Sequence, residues 1–377
     1  MSERKVLIEN KIKQIDDKAT KRQKEAAKLY FATKEGDISA KYKLQEGITT
    51  SDIPELLTPA FNVEFLAEYA AQPVVWNQIA DEYITDSLGE ITFGDFQFDT
   101  SNLPDVSDGN AYVGAGLPGV PELGEYPAIK FATSKLEAEL RKSGVRMRWS
   151  WEALRKTGNF DMVSRSLQAF ARFAAEEEDI SLAKQFVSTT ATINTDFTTL
   201  SSNPALSLAA IGAAKAAAGA LRINGRPVSA RSYALVTGSA LSETAKDLLN
   251  IQQVTQVPSS SGGQGYIQST SNGNVNAVDF WALDQVGSFT TPGATDDFWF
   301  LVPQGGARNA FVEVFLSGER MPLLSTKDSG HFAYNGGEVP ARQGSWESDD
   351  VETRGRHIVE AASINPSLVV RSNGSGS

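Results

Sequence analysis

Two histidines, His331 and His357, and no cysteine leave this 377-residue chain short of the usual groups of enzyme chemistry. Nucleophilic catalysis needs a base held beside a Ser, Thr or Cys, and geometry defines that arrangement. His331 lies in a Gly-flanked loop and His357 lies beside Arg354 and Arg356. These contexts predict surface or interface histidines. Zinc sites draw mainly on Cys and His, so none is expected. Gly114-Ala115-Gly116-Leu117-Pro118-Gly119 matches the G-x-G-x-x-G spacing. The dinucleotide fingerprint also needs a strand before it and a helix opening within it. Pro118 and Pro121 block that helix, and the glycines predict a deformable loop tip. Asp99, Asp105 and Asp108, with Asn102 between, repeat at steps of three, where a calcium loop needs two. They predict a solvated acidic loop. Glu176, Glu177, Glu178 and Asp179 are adjacent on a helical segment, so they diverge around its axis and predict a solvated face. Asn373-Gly374-Ser375 is a glycosylation sequon in form only, and Trp149 and Trp151 predict core or interface packing. The expectation is a chain without catalytic residues, cofactor or metal.

Charge divides the chain unevenly. The net is −11, but residues 1–46 hold twelve Lys or Arg against eight Asp or Glu. The remainder holds 23 against 38, a net of −15. Tight sequence-independent DNA binding rests on neutralising phosphates, which an acidic body opposes. A shell enclosing DNA without gripping it suits this surface, and so does a plain acidic soluble protein. At 41% hydrophobic, the chain has ample material for a core. No apolar run approaches the ~20 residues that span a bilayer, and the charged start lacks a signal-peptide segment. The reading is a soluble protein made in a cytoplasm.

The elements follow from periodicity. Residues 3–34 predict a helix whose seam is Ile8, Ile12, Ile15, Ala19, Ala26 and Leu29, broken by Arg22. This spacing fits a helix docked on a partner helix, or a solvated charged helix. Thr50 to Asp52 offer caps, Pro54 and Pro59 predict an extended or turning chain, and Phe61, Phe65, Leu66 and Tyr69 mark a short helix ending near Pro73. Residues 159–187 carry the strongest helical stripe: Val163, Leu167, Phe170, Ala174, Ile180, Ala183 and Val187. Thr, Ser and Asn-rich residues 188–204 predict a linker. An α/β domain begins near 205, with helices over 205–221 and 240–249 around a buried strand at 231–237. Ser, Gly and Asn-rich residues 258–274 predict a flexible loop. Strands are expected at 275–283, 297–303 and 308–317, the last two joined by a tight Gln304-Gly305-Gly306 turn, with further strands over 318–371 and a mobile tail, 372–377.

One segment fits no compact domain. Residues 88–150 predict a long two-sided β-ribbon, with Ile91, Phe93, Phe96 and Phe98 going out. Ile129, Phe131, Leu136, Ala138, Leu140, Val145, Met147 and Trp149 return. At ~3.3 Å per residue, positions 88–98 reach roughly 36 Å. Ordering each residue costs about 1–2 kcal/mol of backbone entropy, and an isolated hairpin is marginal in water. Something outside the subunit is expected to hold the ribbon down.

This order of elements resembles the tailed-bacteriophage major capsid proteins of the Hong Kong 97 type. Three segments carry the resemblance. They are Ile53-Pro54-Glu55-Leu56-Leu57-Thr58-Pro59 before an amphipathic helix, the ribbon 88–150 running into helix 159–187, and Trp346 to Val370 with Asn365-Pro366. It implies an α+β fold in which residues 1–52 form a charged helix and arm, and 53–87 the first part of a peripheral domain. Residues 88–140 form the extended β-hairpin E-loop. Residues 141–204 continue the peripheral domain with its spine helix 159–187, 205–340 form an α/β axial domain, 341–371 a closing peripheral strand, and 372–377 the tail. The resemblance implies self-assembly as pentamers and hexamers into an icosahedral shell around phage DNA. Portal, scaffolding and decoration proteins are the further partners, and DNA is touched only weakly and non-specifically. No membrane is involved. The location is the virion, assembled in the host bacterial cytoplasm.

In that arrangement the acidic tip, Asp99, Asp105, Asp108, Glu122 and Glu125, faces basic residues of a neighbour. The candidates are Arg141, Arg146, Arg148, Arg155, Lys156, Arg342, Arg354 and Arg356, while Phe96 and Phe98 supply most of the affinity. An encapsulin-like nanocompartment shell enclosing cargo enzymes is the alternative. A hydrolase with the ribbon as a lid is a third reading, opposed by the histidine count. About 46 residues precede the arm, fewer than the roughly hundred-residue scaffolding region of some relatives, so a separate scaffolding protein or a retained helix is expected. Some relatives also join an E-loop Lys to a neighbour's Asn by an isopeptide bond. Residues 95–129 contain no Lys, and Lys130 and Lys135 lie further down. Assembled subunits are therefore expected to run as single bands after boiling in detergent. A ladder of covalent oligomers would contradict this.

Overall fold

A computed structural model describes residues 21–34, 37, 39–40, 43, 53–99, 130–150, 160–223, 226–227, 230, 232–250, 254–258, 264–268, 274–305, 309–326, 331–332, 338–339 and 350–376. In chain order come α1 (Lys21–Lys34), α2 (Ile53–Ala71), β1 (Asp81–Thr85), β2 (Glu90–Asp99), β3 (Lys130–Glu139), β4 (Lys142–Ser150), α3 (Phe160–Phe186), β5 (Thr198–Thr199) and α4 (Leu208–Ala220). Then follow β6 (Arg222–Ile223), β7 (Arg226–Pro227), β8 (Ser232–Thr237), α5 (Ser239–Asn250), β9 (Val254–Pro258), β10 (Gln264–Gln268), β11 (Val275–Asp279), α6 (Ala282–Gly287), β12 (Trp299–Gln304) and β13 (Phe311–Leu316). The last are β14 (Leu323–Thr326), β15 (His331–Phe332), β16 (Glu338–Val339), β17 (Asp350–Ser363) and β18 (Val370–Ser372). Among the described residues no helix is long and apolar enough to cross a membrane. The chain divides into two units, Met1–Pro73 with Lys142–Glu177 and Gly318–Ile358, and Val74–Arg141 with Glu178–Ser317 and Val359–Ser377.

In the first unit α1 docks on the chain's own α2. Its buried ridge is Ala26, Ala27, Tyr30 and Phe31, one position beyond the expected Ala26–Leu29 seam. The shift follows size, because aromatic rings bury far more surface than Leu29 would. The Tyr30 hydroxyl donates to Glu64 at 2.5 Å, and Lys34 and Gln168 reach the same carboxylate. Helix α2 starts at Ile53 and contains both prolines that were expected to keep the chain extended. Pro54 occupies the first turn, where its missing N–H would have no partner in the helix. Pro59, one turn on, removes a single backbone bond. Phe65 of α2 stacks on Phe170 of α3, centroids 5.5 Å apart and rings 8° from parallel. Residues 350–358 of β17 pair with β4 on one side and β14 on the other. Gly355 lies directly on the Phe170 ring, where a Cβ would come within 2.3 Å of Cζ. Strand β4 completes this sheet, whereas the sequence placed Val145 to Trp149 in the ribbon.

The second unit holds the sheet β11-β8-β12-β18-β5. Strand β8 is buried from Tyr233 to Thr237, as its unbroken apolar run predicts. Helix α4 is capped by Ser207, whose hydroxyl accepts the Ala210 N–H at 3.2 Å. Phe186 forms the centre of an aromatic cluster, 4.5 Å from Phe311 and 5.0 Å from Phe300 between centroids. Strands β1 and β13 pair in parallel, and β13 pairs with residues 359–363 of β17. Strands β12 and β13 belong to different sheets, so the turn expected at Gln304 does not close a hairpin. The expected strand 275–283 ends at Asp279, and Ala282–Gly287 is helical. Strand β10, within the segment 258–274 that predicted a flexible loop, pairs with β9 just before it.

The supposed linker 188–204 is packed: Ile193, Phe197 and Leu200 are buried and β5 pairs with β18. The supposed mobile tail is held too. Ser372 ends β18, and the Gly376 N–H donates to the Asn203 carbonyl at 2.8 Å. Glycine permits this approach, since a Cβ at Gly376 would collide with the Ser202 carbonyl.

The largest departure concerns the acidic run on α3. Glu178 and Asp179 are buried, not solvated. Asp179 Oδ1 accepts the backbone N–H groups of Val75 at 2.9 Å and Trp76 at 2.8 Å, and its Oδ2 accepts the Trp281 indole at 3.1 Å. Glu178 accepts the Trp76 indole at 2.7 Å. Two neighbouring carboxylates thus fix the turn that begins after Pro73. Burial raises the Asp179 pKa above the ordinary aspartate value; the backbone bonds from Trp76 and Val75 oppose it.

Two outcomes follow. Gly355→Ala is expected to destabilise the subunit by about 1–3 kcal/mol, because the Cβ displaces Phe170, and Phe170→Leu in that background to recover part of the loss in thermal unfolding. Asp179 binds its proton more tightly folded than unfolded, so its burial penalty is present at neutral pH and relieved in acid. Stability of the natural chain relative to Asp179→Asn should therefore rise as the pH falls from about 7 towards 4 in denaturant titrations.

Candidate assembly interface

A β-strand sends alternate residues to opposite faces, and β4 and β17 use this to separate charge from core. In β4 the alternation sets exposed Arg146 and Arg148 against half-buried Met147 and buried Trp149, while Val145 before them is exposed. In β17 it sets Glu352, Arg354 and Arg356 against Gly355 and His357. Register aligns the two patterns: Arg148 pairs with Glu352, Arg146 with Arg354, and Gly144 with Arg356. Strand β14 adds Ser325 opposite Arg354 and Leu323 opposite Arg356. One face of this sheet therefore carries four arginines. The other meets the helices, with Gly355 on Phe170 and buried His357 edge-on to Tyr69 at 6.0 Å. The burial of His357 within its own unit corrects its reading as a surface or interface residue.

The arginine face is held by two carboxylates that the sequence reading did not single out. Glu352 lies 3.6 Å from Arg146 Nη1 and 3.5 Å from Arg148 Nε. Arg356 donates to Glu319 at 2.5 Å. The Glu352 side chain is 12% exposed, while those of Arg146 and Arg148 are 67% and 51% exposed. Exposed pairs of this kind contribute about 0–1 kcal/mol each, so they orient the guanidinium groups more than they stabilise the fold. Among the described residues four arginines meet two glutamates here, with the exposed apolar residues Met321 and Leu323 at positions 321–323. The alternation Glu352-x-Arg354-x-Arg356 was the available signal for Glu352. Arg141 stands apart in the second unit, 3.9 Å from Glu360.

The ribbon is β2 and β3 alone, paired from Glu90↔Glu139 to Asp99↔Lys130. Phe96 falls opposite Thr133 and Phe98 opposite Phe131. In sequence Ile91 and Phe93 fall on odd positions, Phe96 and Phe98 on even ones. Ile91, at the base, is buried, and among the described residues no third strand joins this sheet. Asp105, Asp108, Glu122, Glu125, Arg155, Lys156 and Arg342 lie outside the described residues, as do the glycine motif at 114–119 and Trp151. The structure brings together Arg146, Arg148, Arg354 and Arg356; it does not add Arg141 to them.

A cavity of about 350 Å³ in the second unit is lined by Asn77, Gln78, Asp81, Asn276, Gln304 and Asn309, among others. Among the described residues its lining contains no Lys, Arg or His.

No curated protein matches this chain. Among solved structures, a virus-like particle from Pyrococcus furiosus is 10% identical, covering 83% of this chain and 97% of its own, with a TM-score of 0.43. A structure from Mycobacterium phage Che8 is 13% identical, covering 81% and 93%, with a TM-score of 0.45. The Cyanophage Pam1 capsid is 13% identical, covering 79% and 89%, with a TM-score of 0.45. These are distant likenesses. A family model described as phage capsid protein matches residues 133–372, which takes in β4, the arginine-bearing strand β17 and the whole β11-β8-β12-β18-β5 sheet. With well over half its length matched, the chain belongs to the phage capsid protein family.

Proposed function

We propose that this chain is a major capsid protein that self-assembles as pentamers and hexamers into the icosahedral head of a tailed phage, enclosing double-stranded DNA. The observation that carries the reading is the ribbon β2–β3, a two-stranded sheet in a chain of the capsid family. Two strands are marginal on their own, and a neighbouring copy supplies the missing packing. From Asp99 to Ile129 the chain has five acids and no Lys, Arg or His. That composition complements the arginine face of another copy. Asp99, Asp105, Asp108, Glu122 and Glu125 then oppose Arg146, Arg148, Arg354 and Arg356, with Arg141, Arg155, Lys156 and Arg342 as further candidates. Phe96 and Phe98 contribute most of the affinity, as buried aromatics do at interfaces.

In this reading residues 88–140 are the E-loop. Residues 53–87, 141–204 and 341–371 form the peripheral domain and 205–340 the axial domain. The chain acts as a building unit and not as a catalyst. Portal, scaffolding and decoration proteins are its further partners, and assembly takes place in the host cytoplasm before the shell becomes part of the virion. The net charge of −15 beyond residue 46 suits a container that touches DNA weakly.

Electron microscopy of the purified protein should show closed shells, and shells made during infection should hold nuclease-resistant DNA. A monodisperse monomer would contradict the proposal, and shells holding protein cargo in place of DNA would favour a nanocompartment. Asp99→Lys with Asp105→Lys should lower shell yield several-fold, as should Arg146→Glu with Arg354→Glu, since each lost pair is worth up to about 1 kcal/mol. Undiminished yield in both variants would remove the electrostatic part of the proposal.

A further inference from the structure

Strand β1 stands at the end of its sheet, with β13 on one side and no described strand on the other. The Ser317 N–H donates to the Thr85 carbonyl at 2.7 Å. In a parallel pair the N–H and C=O of one residue point the same way, so those of Thr85 and Tyr83 address β13 and those of Ile84 address the open side. Asp81 to Ile84 are all exposed, whereas β13 beside them is buried. Tyr83 is 42% exposed, Ile84 54%, and Leu88 just beyond 61%. Natural sheets protect such edges with Pro, Lys, a bulge or a covering element. Between Asp81 and Glu90 there is no Pro and no Lys. An exposed edge whose charges are all acidic is a template for adding a strand that carries bases.

We infer that the open edge of β1 is completed by the distal half of β3, Lys130 to Lys135, from the ribbon of a second copy of this chain. The occupant follows from charge and form. Residues 81–90 contain Asp81, Glu82, Asp86 and Glu90 with no base. Residues 130–135 contain Lys130 and Lys135 with no acid, and Phe131 between them. Strand β3 is extended and, among the described residues, pairs with β2 alone, so it has an outer edge to offer. Joining the two edges would extend the sheet across copies and complete backbone bonds on both sides, which surface ion pairs alone would not do. The inference rests on the self-assembly reading and adds to it the segment and edge that meet.

The chain has no cysteine, so introduced thiols report a contact without background. Ile84→Cys combined in turn with Ala132→Cys, Thr133→Cys and Ser134→Cys should give, in at least one pair, subunits linked into covalent chains when assembled shells are oxidised. Facing strands bring Cα atoms within the 4.4–6.8 Å that a disulfide requires. Ile84→Cys with Lys215→Cys, on α4, should give none. Asp86→Lys and Lys135→Glu should each lower assembly several-fold, and their combination should restore it. Shells that form normally but cross-link in none of the three pairs would overturn the inference and leave the capsid reading standing. Cross-linking of Ile84→Cys to a thiol placed in the basic N-terminal segment in its stead would also overturn it. A chain that forms no shells would overturn both.

Discussion

Backbone amides and carbonyls must find partners, and a two-stranded ribbon leaves half of its own unpaired by strand neighbours. Strands β2 and β3 run ten residues each, from Glu90↔Glu139 to Asp99↔Lys130, and form a sheet with nothing else described. In sequence the apolar positions change parity between Phe93 and Phe96. The second unit anchors this ribbon at its base, where Ile91 is buried.

Anchoring begins before the ribbon. Asp179 and Glu178 hold the turn at Val75 and Trp76, from which β1 leads into β2. Burying two adjacent carboxylates is costly unless each is hydrogen-bonded, and here each accepts an indole, with two backbone amides added at Asp179. In the first unit, residues 350–358 of β17 pair with β4 and β14. Gly355 lets that sheet lie close on Phe170, which fixes one face and leaves Arg146, Arg148, Arg354 and Arg356 on the other. The same strand register that packs the core thus assembles the charged surface.

Much of this was legible from side-chain pattern. Helix 159–187 emerged as Phe160–Phe186 because its stripe repeats at steps of three and four with no Gly or Pro to interrupt it. Strand 231–237 emerged as Ser232–Thr237 because its apolar run is short and continuous. What misled was composition read without partners. Residues 188–204 look like a linker, but Phe197 and Ile193 carry enough apolar surface to pack the segment down. Glu178 and Asp179 read as solvent-facing because charged runs usually are, and nothing local announces Trp76 and Trp281, about a hundred residues away on either side. Pro54 and Pro59 read as breakers, yet one occupies a first turn. Of the interface, the four arginines were named individually. Their union depended on the β4–β17 register, which pairs residues some two hundred apart and cannot be read from either strand alone.

The central claim is that the ribbon becomes stable through copies of the same chain. Hydrogen exchange of the β2 and β3 amides in assembled shells and in dissociated subunits tests it most directly. The account predicts strong protection across 91–99 and 130–138 in shells, and exchange there close to that of an isolated hairpin once subunits separate, while β8 and β12 stay protected in both. Equal protection of the ribbon in the lone subunit would contradict it.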